Sequence, residues 1–250
     1  MNSSEKFKQE CIEEIALQGE NVALLNTTHQ WINRANSGKY SYHFEWLGRP
    51  IIQYPQDIIA MQELIWSIQP DLILETGIAH GGSLIFSASM LELNAICGGP
   101  QDAEVLAIDI DIRAHNNEAI QSHPMFKRIS MIQGSSIDPK IIEQVKAKAA
   151  DKKKILVCLD SNHTHDHVLA ELKAYAQLTS LGSYCVVFDT VVEDLPDNMS
   201  GDRPWGKGNN PKTAVWEFLK NNDRFEIDKS IESKLLITVA PDGYLKCIKD

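Results

Sequence analysis

Three features of this 250-residue sequence predict an α/β protein with a Rossmann-like, doubly wound and mostly parallel sheet. Short apolar runs recur at residues 72–75, 105–109, 130–133, 155–160 and 184–189. Stretches with helical spacing separate them, around 83–95, 115–122, 139–149 and 166–179. The third feature is Asp71-Leu-Ile-Leu-Glu-Thr-Gly-Ile-Ala-His-Gly-Gly-Ser83, where an apolar run ends in an acid, passes a glycine-rich turn and enters an apolar helix.

In chain order, Phe7, Cys11, Ile12, Ile15 and Ala16 fall at helical spacing over residues 4–18. This amphipathic helix is expected to pack on the core or on a second subunit, and the protein is expected to be a homo-oligomer. Residues 27–54 show little periodicity but carry Trp31, Tyr40, Tyr42, Phe44, Trp46 and Tyr54, which suits either a cover over a site or an apolar strap on the sheet. After Pro55, Asp57 reads as the cap of a helix to about residue 67, with Ile58, Met61, Ile65 and Ile68 on one face. Near the end, 235–239 and 244–248 flank Pro241-Asp242-Gly243, which predicts an antiparallel pair closing the sheet. The expected organisation is a single domain over 1–250, with 1–55 as an N-terminal extension or cover and 56–250 as the core. The polar, glycine-rich loop 193–210 is expected to act as a lid.

The formal charge is -10 and no basic stripe is visible, so nucleic acid is not expected as a partner. Five widely spaced cysteines support neither a disulfide framework nor a zinc site, and no apolar stretch approaches the roughly 18 residues of a membrane span. A reduced, cytoplasmic protein is expected. Within the lid, Gly201 to Lys207 echoes a phosphate-binding loop, but no hydroxyl residue follows Lys207 and no strand leads in, which rejects nucleotide hydrolysis. Arg203, Trp205 and Lys207 could grip an anionic acceptor or belong to a mobile surface turn. Asn210 and Pro211 start a helix to about residue 219.

Ligands of such sheets bind beyond the carboxyl ends of the strands. Those ends carry Glu75, Asp109, Gly134-Ser135-Ser136, Asp160 and Asp189. Buried carboxylates cost several kcal/mol unless paired or bound, so the set points to a site. In the first turn Ala79 stands where a dinucleotide fingerprint needs its second glycine, which disfavours NAD. The pattern formed by Glu75, Gly77, Gly81 and Gly82 resembles instead the first motif of Rossmann-like S-adenosylmethionine-dependent methyltransferases. By that resemblance Glu75, Gly77, Ala79, Gly81 and Ser83 hold the amino-acid part of the cofactor. Asp109 suits ribose hydroxyls or, alternatively, a helix cap, a role that fits Asp111 better. Ser135 and Ser136 suit the adenine edge or an ordinary helix entry.

Three histidines alternate in Asp160-Ser-Asn-His-Thr-His-Asp-His167, yet His165 and His167 are expected on a solvated helix start, against a zinc cluster. Asp160 and His163 can share a pocket, and Asp189 can add a second carboxylate to a cation held by Asp160. From about Lys39 onward the chain resembles the cephalosporin hydroxylase family of methyltransferase-like proteins, related to metal-dependent sugar O-methyltransferases. The matching residues are Trp46-Leu-Gly-Arg-Pro50, Gln53-Tyr-Pro-Gln-Asp57, Leu74 to Ser83, Asp160-Ser-Asn-His163 and Tyr184-Cys-Val-Val-Phe-Asp-Thr190. Members that bind magnesium use the acid matching Asp160 and a Glu-Asp pair where this chain has Phe188-Asp189. Either Thr190 supplies the missing oxygen or the Mg2+ is weak or absent. The resemblance implies methyl transfer from S-adenosylmethionine to a hydroxyl of a small-molecule acceptor, a saccharide, with His163 as general base, Asp160 touching both cofactor and metal, and Asp160, Asp189 and Thr190 as metal ligands. The alternatives are a hydroxylase or its accessory, and a non-catalytic protein that keeps the cofactor pocket.

Overall fold

A computed structural model describes residues 2–199 and 201–250. Helix α1 (Ser3–Glu20) begins with a capping box in which Asn2 and Glu5 satisfy each other's backbone N–H. It buries none of its residues and leans on the far end of the chain, where Gln18 donates to the Ser233 carbonyl. Helix α2 (Val22–Ser37) occupies a stretch the sequence marks as irregular from residue 27. Only Thr28 and Ile32 of α2 are buried, so its apolar stripe is too thin to read as a period.

The aromatic segment forms a hairpin, β1 (Phe44–Trp46) and β2 (Arg49–Ile51), turning at Leu47 and Gly48, both with positive φ. Trp46 packs edge-on against Phe86 and donates to Ser89 Oγ, while Ile51 and Gln53 line the site. Helix α3 (Pro55–Ile68) starts with Pro55 at its first turn and Tyr54 as N-cap. Asp57 is therefore not a cap. It is fully buried and accepts from the Thr238 and Tyr244 hydroxyls and the Val239 N–H, which ties α3 to the C-terminal segment. Burial pushes its pKa up to about 6 against the pull of those bonds.

The remaining elements are β3 (Leu72–Thr76), α4 (Gly82–Ile96), β4 (Glu104–Asp109), α5 (Ala114–Gln121), β5 (Ile129–Gln133), α6 (Pro139–Ala149), β6 (Ile155–Leu159), α7 (His165–Tyr175), β7 (Tyr184–Val187), α8 (Pro211–Leu219), β8 (Phe225–Ile227), α9 (Lys229–Leu235) and β9 (Tyr244–Cys247). They build a seven-stranded sheet of order β5-β4-β3-β6-β7-β9-β8, parallel from β5 to β7 and antiparallel at β9 and β8. The antiparallel closure has a different partner from the one the sequence suggests. Residues 235–239 are no strand; Leu236 takes a positive φ after α9, and Thr238 and Val239 bond Asp57, so β9 pairs with β8.

Alternate residues of each parallel strand enter opposite cores. Ile73, Val105, Ala107 and Leu156 face α3 and α4; Leu72, Leu74, Leu106 and Val157 face α6, α7 and α8. Every residue of β3 and β6 is buried, which explains why these runs read as apolar without alternation. A truncation such as Leu74→Ala costs about 2–5 kcal/mol at a site like this. The chain leaves β3 toward β4 and β5 on one side and returns to β6 and β7 on the other, so the strand order reverses between β3 and β6. Such a switch point opens a crevice at the carboxyl ends. There Asp160 N donates to the Thr76 carbonyl, joining the two strand ends.

Candidate active site

At the mouth of β3 the backbone must turn under the end of β6. Gly77 has φ +89, and a Cβ there would lie 2.0 Å from the Asp160 carbonyl oxygen, so both conformation and space demand glycine. Ala79 also takes a positive φ, of 45°, without being glycine. Its carbonyl accepts from Asn116 Nδ2 at 2.8 Å, and the next carbonyl, of His80, accepts from Arg49 Nε at 3.0 Å. Arg49 also reaches Asn116 Oδ1, so the turn is clamped from outside. Gly81, at φ +81, is the N-cap of α4 and contributes no side-chain cap, which leaves that helix end open to a ligand.

Glu75 is buried beneath this turn, where Ser83 donates its hydroxyl to it. Burial raises the Glu75 pKa to about 7 despite that bond. With Gln53, Asp57 and Asp160 it walls a cavity of about 20 Å3, room for one water.

Asp109 ends β4 with both oxygens engaged, Oδ2 by Ile78 N at 2.8 Å and Oδ1 by Asp111 N at 2.9 Å. The expected cap role of Asp111 is not found, because Arg113 is the N-cap of α5 and Asp111 pairs with it at 3.8 Å. Ser135 and Ser136 are not helix caps either; Asp138 caps α6 through Lys140 N. Asp109, both serines, Gly77, Ala79, Asp160 and Trp205 line one cavity of about 340 Å3.

On the other side of Asp160, the Asp160, His163 and Asp189 ligand atoms all lie within 4.8 Å of one another. His163 Nε2 is 3.1 Å from Asp189 Oδ2. The Asp160 carboxylate makes no hydrogen bond among the described residues, and burial together with the charges of Asp189 and Glu75 holds its pKa well above the usual range. Two carboxylates facing each other this way are the environment a cation relieves. The Thr190 hydroxyl is engaged elsewhere. It is fully buried and donates to the Pro241 carbonyl at 2.6 Å. The three histidines have different partners, and His167 is not on a solvated helix start: its Nε2 lies among Ser136, Ser161 and Glu171. His165 bonds Thr213.

A second cavity, of about 480 Å3, lies beside that cluster, with Tyr42, Gln53, His80, Arg113, Arg203 and Trp205 in its wall. The loop 193–210 is tied down at its end, where Glu193 accepts from Gly208 N and Asn210 Nδ2, and Asn209 accepts from His165 N. Ser200 lies outside the described residues. Trp205 meets His163 edge-on at 4.9 Å, with Arg203 5.4 Å from its ring, and it lines both cavities. Tyr42, Gln53 and Arg113 went unmarked as site residues in the sequence; Tyr42 stood in the aromatic segment and Gln53 in a motif, while Arg113 carried no signal.

A parallel sheet with its crevice at the β3/β6 switch, a glycine turn and an acid at the end of β4 is the architecture of Rossmann-like proteins that bind a nucleotide-type cofactor. Solved structures share that fold: CmcI with magnesium and S-adenosylmethionine aligns at TM-score 0.57 and 18% identity over 83% of this chain and 78% of that one. The O-methyltransferase TomG from Streptomyces achromogenes aligns at 0.54 and 15%, over 89% and 90%. The rhamnosyl O-methyltransferase of Mycobacterium tuberculosis is 32% identical over 190 residues, 76% of this chain and 72% of that protein. Its counterpart in Mycobacterium leprae is 30% identical over 203 residues, 80% and 81%. Residues 38–248 match the family described as "Rhamnosyl O-methyltransferase/CmcI". The chain belongs to this family and is an S-adenosylmethionine-dependent O-methyltransferase.

Proposed function

We propose that the acceptor is a sugar hydroxyl, a rhamnosyl hydroxyl by the precedent of the mycobacterial relatives, and that transfer takes place where the two cavities meet at Asp160 and Trp205. That meeting is the observation that carries the reading, since a two-substrate transfer needs two pockets opening on one point. In this reading the glycine turn from Gly77 to Ser83 holds the methionine part of the cofactor, Asp109 the ribose, and Ser135 and Ser136 the adenine.

An aliphatic hydroxyl attacks only as its proton leaves, and a placed base contributes about 10²- to 10⁴-fold. His163 is that base. With Nε2–H donating to Asp189, Nδ1 keeps the lone pair that takes the proton. The carboxylates of Asp160 and Asp189 would hold a divalent ion beside His163, which keeps its lone pair for the proton, and the fit does not need Thr190 or an acid at Phe188. When bound, Mg2+ would lower the hydroxyl's pKa. The single-domain organisation, with 1–55 as a cover and 193–210 as a lid, and a reducing cytoplasmic setting for the five free thiols complete the reading.

The test is methyl transfer from labelled S-adenosylmethionine to a panel of rhamnosides, with Mg2+ and with chelator. Transfer to a rhamnoside supports the acceptor, and activity that survives chelation removes the metal from the mechanism.

A further inference from the structure

Below the nucleoside cavity lies a buried polar cluster that methyl transfer does not use. Glu171 on α7 is fully buried; its Oε1 accepts the Ser161 hydroxyl at 2.6 Å, and its Oε2 has no partner among the described residues. One helical turn earlier, His167 Nε2 lies 3.1 Å from Ser136 Oγ, 3.2 Å from Ser161 Oγ and 3.6 Å from Glu171 Oε1. The Ser136 backbone is anchored by Tyr175, whose hydroxyl donates to the Ser136 carbonyl.

With both Nε2 contacts taken as hydrogen bonds, counting hydrogens sets their directions. A serine has one hydroxyl proton, and that of Ser161 goes to Glu171. Toward His167, Ser161 Oγ can therefore only accept, which puts a proton on Nε2. The neutral tautomer that bears it and the imidazolium both satisfy this. A protonated Nε2 cannot accept from Ser136. The Ser136 proton is then left without an acceptor among the described residues, although Ser136 is 4% exposed and lines the cavity beside Asp109. A buried donor without a partner costs about 1–3 kcal/mol, so its orientation serves something that enters the cavity.

We propose that Glu171, Ser161 and His167 are positioning residues that hold Ser136 as a hydrogen-bond donor to an unprotonated ring nitrogen of the adenine base. The inference rests on the S-adenosylmethionine reading of that cavity and adds what sets its base selectivity. A purine presenting N–H at that point would meet donor with donor and be refused.

The experiment is calorimetric titration of the full chain with S-adenosylhomocysteine and its 1-deaza, 3-deaza and 7-deaza analogues, each replacing one ring nitrogen by C–H. The wild-type protein should lose about tenfold in affinity for one of the three, the worth of a single hydrogen bond. Ser136→Ala should abolish that discrimination. Ser161→Ala should lose most of it, because Ser161 no longer directs His167, and Ser161→Thr should keep it. If Ser161→Ala does not fold, Glu171→Leu reports through the same ratio. Equal binding of all three analogues and the parent by the wild type overturns the proposal, as does unchanged discrimination in Ser161→Ala. Failure of the wild type to bind S-adenosylhomocysteine at all is a separate result that removes the cofactor reading and the proposal together.

Discussion

On the β3–β5 side of Asp160 the cavity is shaped by the ends of the strands, the glycine turn and the acids around them. Gly77 abuts the Asp160 carbonyl, Asp109 takes two N–H groups, and Glu75 sits under the turn. On the β7 side the outer face of the glycine turn is met by large side chains carried by connections, Tyr42 ahead of the hairpin and Arg203 and Trp205 on the loop 193–210. A wall made of backbone can vary little without losing its shape, whereas a wall of loop side chains can change its occupant at small cost. The first suits a cofactor common to a family and the second suits an acceptor that differs between members.

The sharpest break between the two sides is expected at His163. His163→Ala should lower kcat by about 10²- to 10⁴-fold while leaving S-adenosylhomocysteine affinity unchanged, because the base acts in the transition state. Equal losses in kcat and in cofactor affinity, read by rapid quench and calorimetry, would merge the two sides. Next is Gly77→Ala, which places a Cβ 2.0 Å from a backbone oxygen at positive φ. A loss of about 3 kcal/mol in denaturant stability is expected, with cofactor binding lost. Retained binding would show that the turn is not a rigid wall.

Glu75 gives a pH signature. Its pKa in the fold is about 7, above the usual 4.5, so the folded protein holds a proton that the unfolded chain releases. Stability of the unliganded protein should therefore fall as pH rises from about 4.5 to about 7. Glu75→Gln cannot ionise and should be about 3 kcal/mol more stable than wild type at pH 8, with no advantage below pH 4. Any fall left in the variant belongs to Asp57 and Asp160, the other acids whose pKa is raised. A variant that tracks wild type across this range in urea titrations would refute the assignment. Trp205→Ala should raise the acceptor KM by about tenfold, through roughly 1–2 kcal/mol of lost aromatic contact, and change cofactor affinity less. The smallest effect is expected at α1, whose exposed Phe7, Ile12 and Leu17 we propose as a contact between subunits. Changing all three to Ser should reduce the mass seen by light scattering and leave the site intact.

The cofactor side was legible in the sequence for a physical reason. Strands buried on both faces write themselves as unbroken apolar runs, and packing alone gives no use for a strand that ends in Glu75 before Gly77, Gly81 and Gly82. Helix α2, the β8 pairing and the role of Asp57 were hidden because they depend on partners up to 187 residues away, as in the Tyr244–Asp57 bond. Thr190 looked available as a ligand only because its Pro241 partner could not be foreseen, and Glu171 gave no signal because a glutamate on a helix normally faces water.

The clamp of Arg49 and Asn116 on the Ala79 and His80 carbonyls has a consequence for transplanting this motif. A turn that omits the middle glycine holds its shape because two side chains from other parts of the chain pin its carbonyl groups. The sequence from Asp71 to Ser83 is therefore not a self-contained module. Grafted onto another α/β scaffold without a hairpin arginine and an α5 asparagine in the same places, it would keep its letters and lose its geometry.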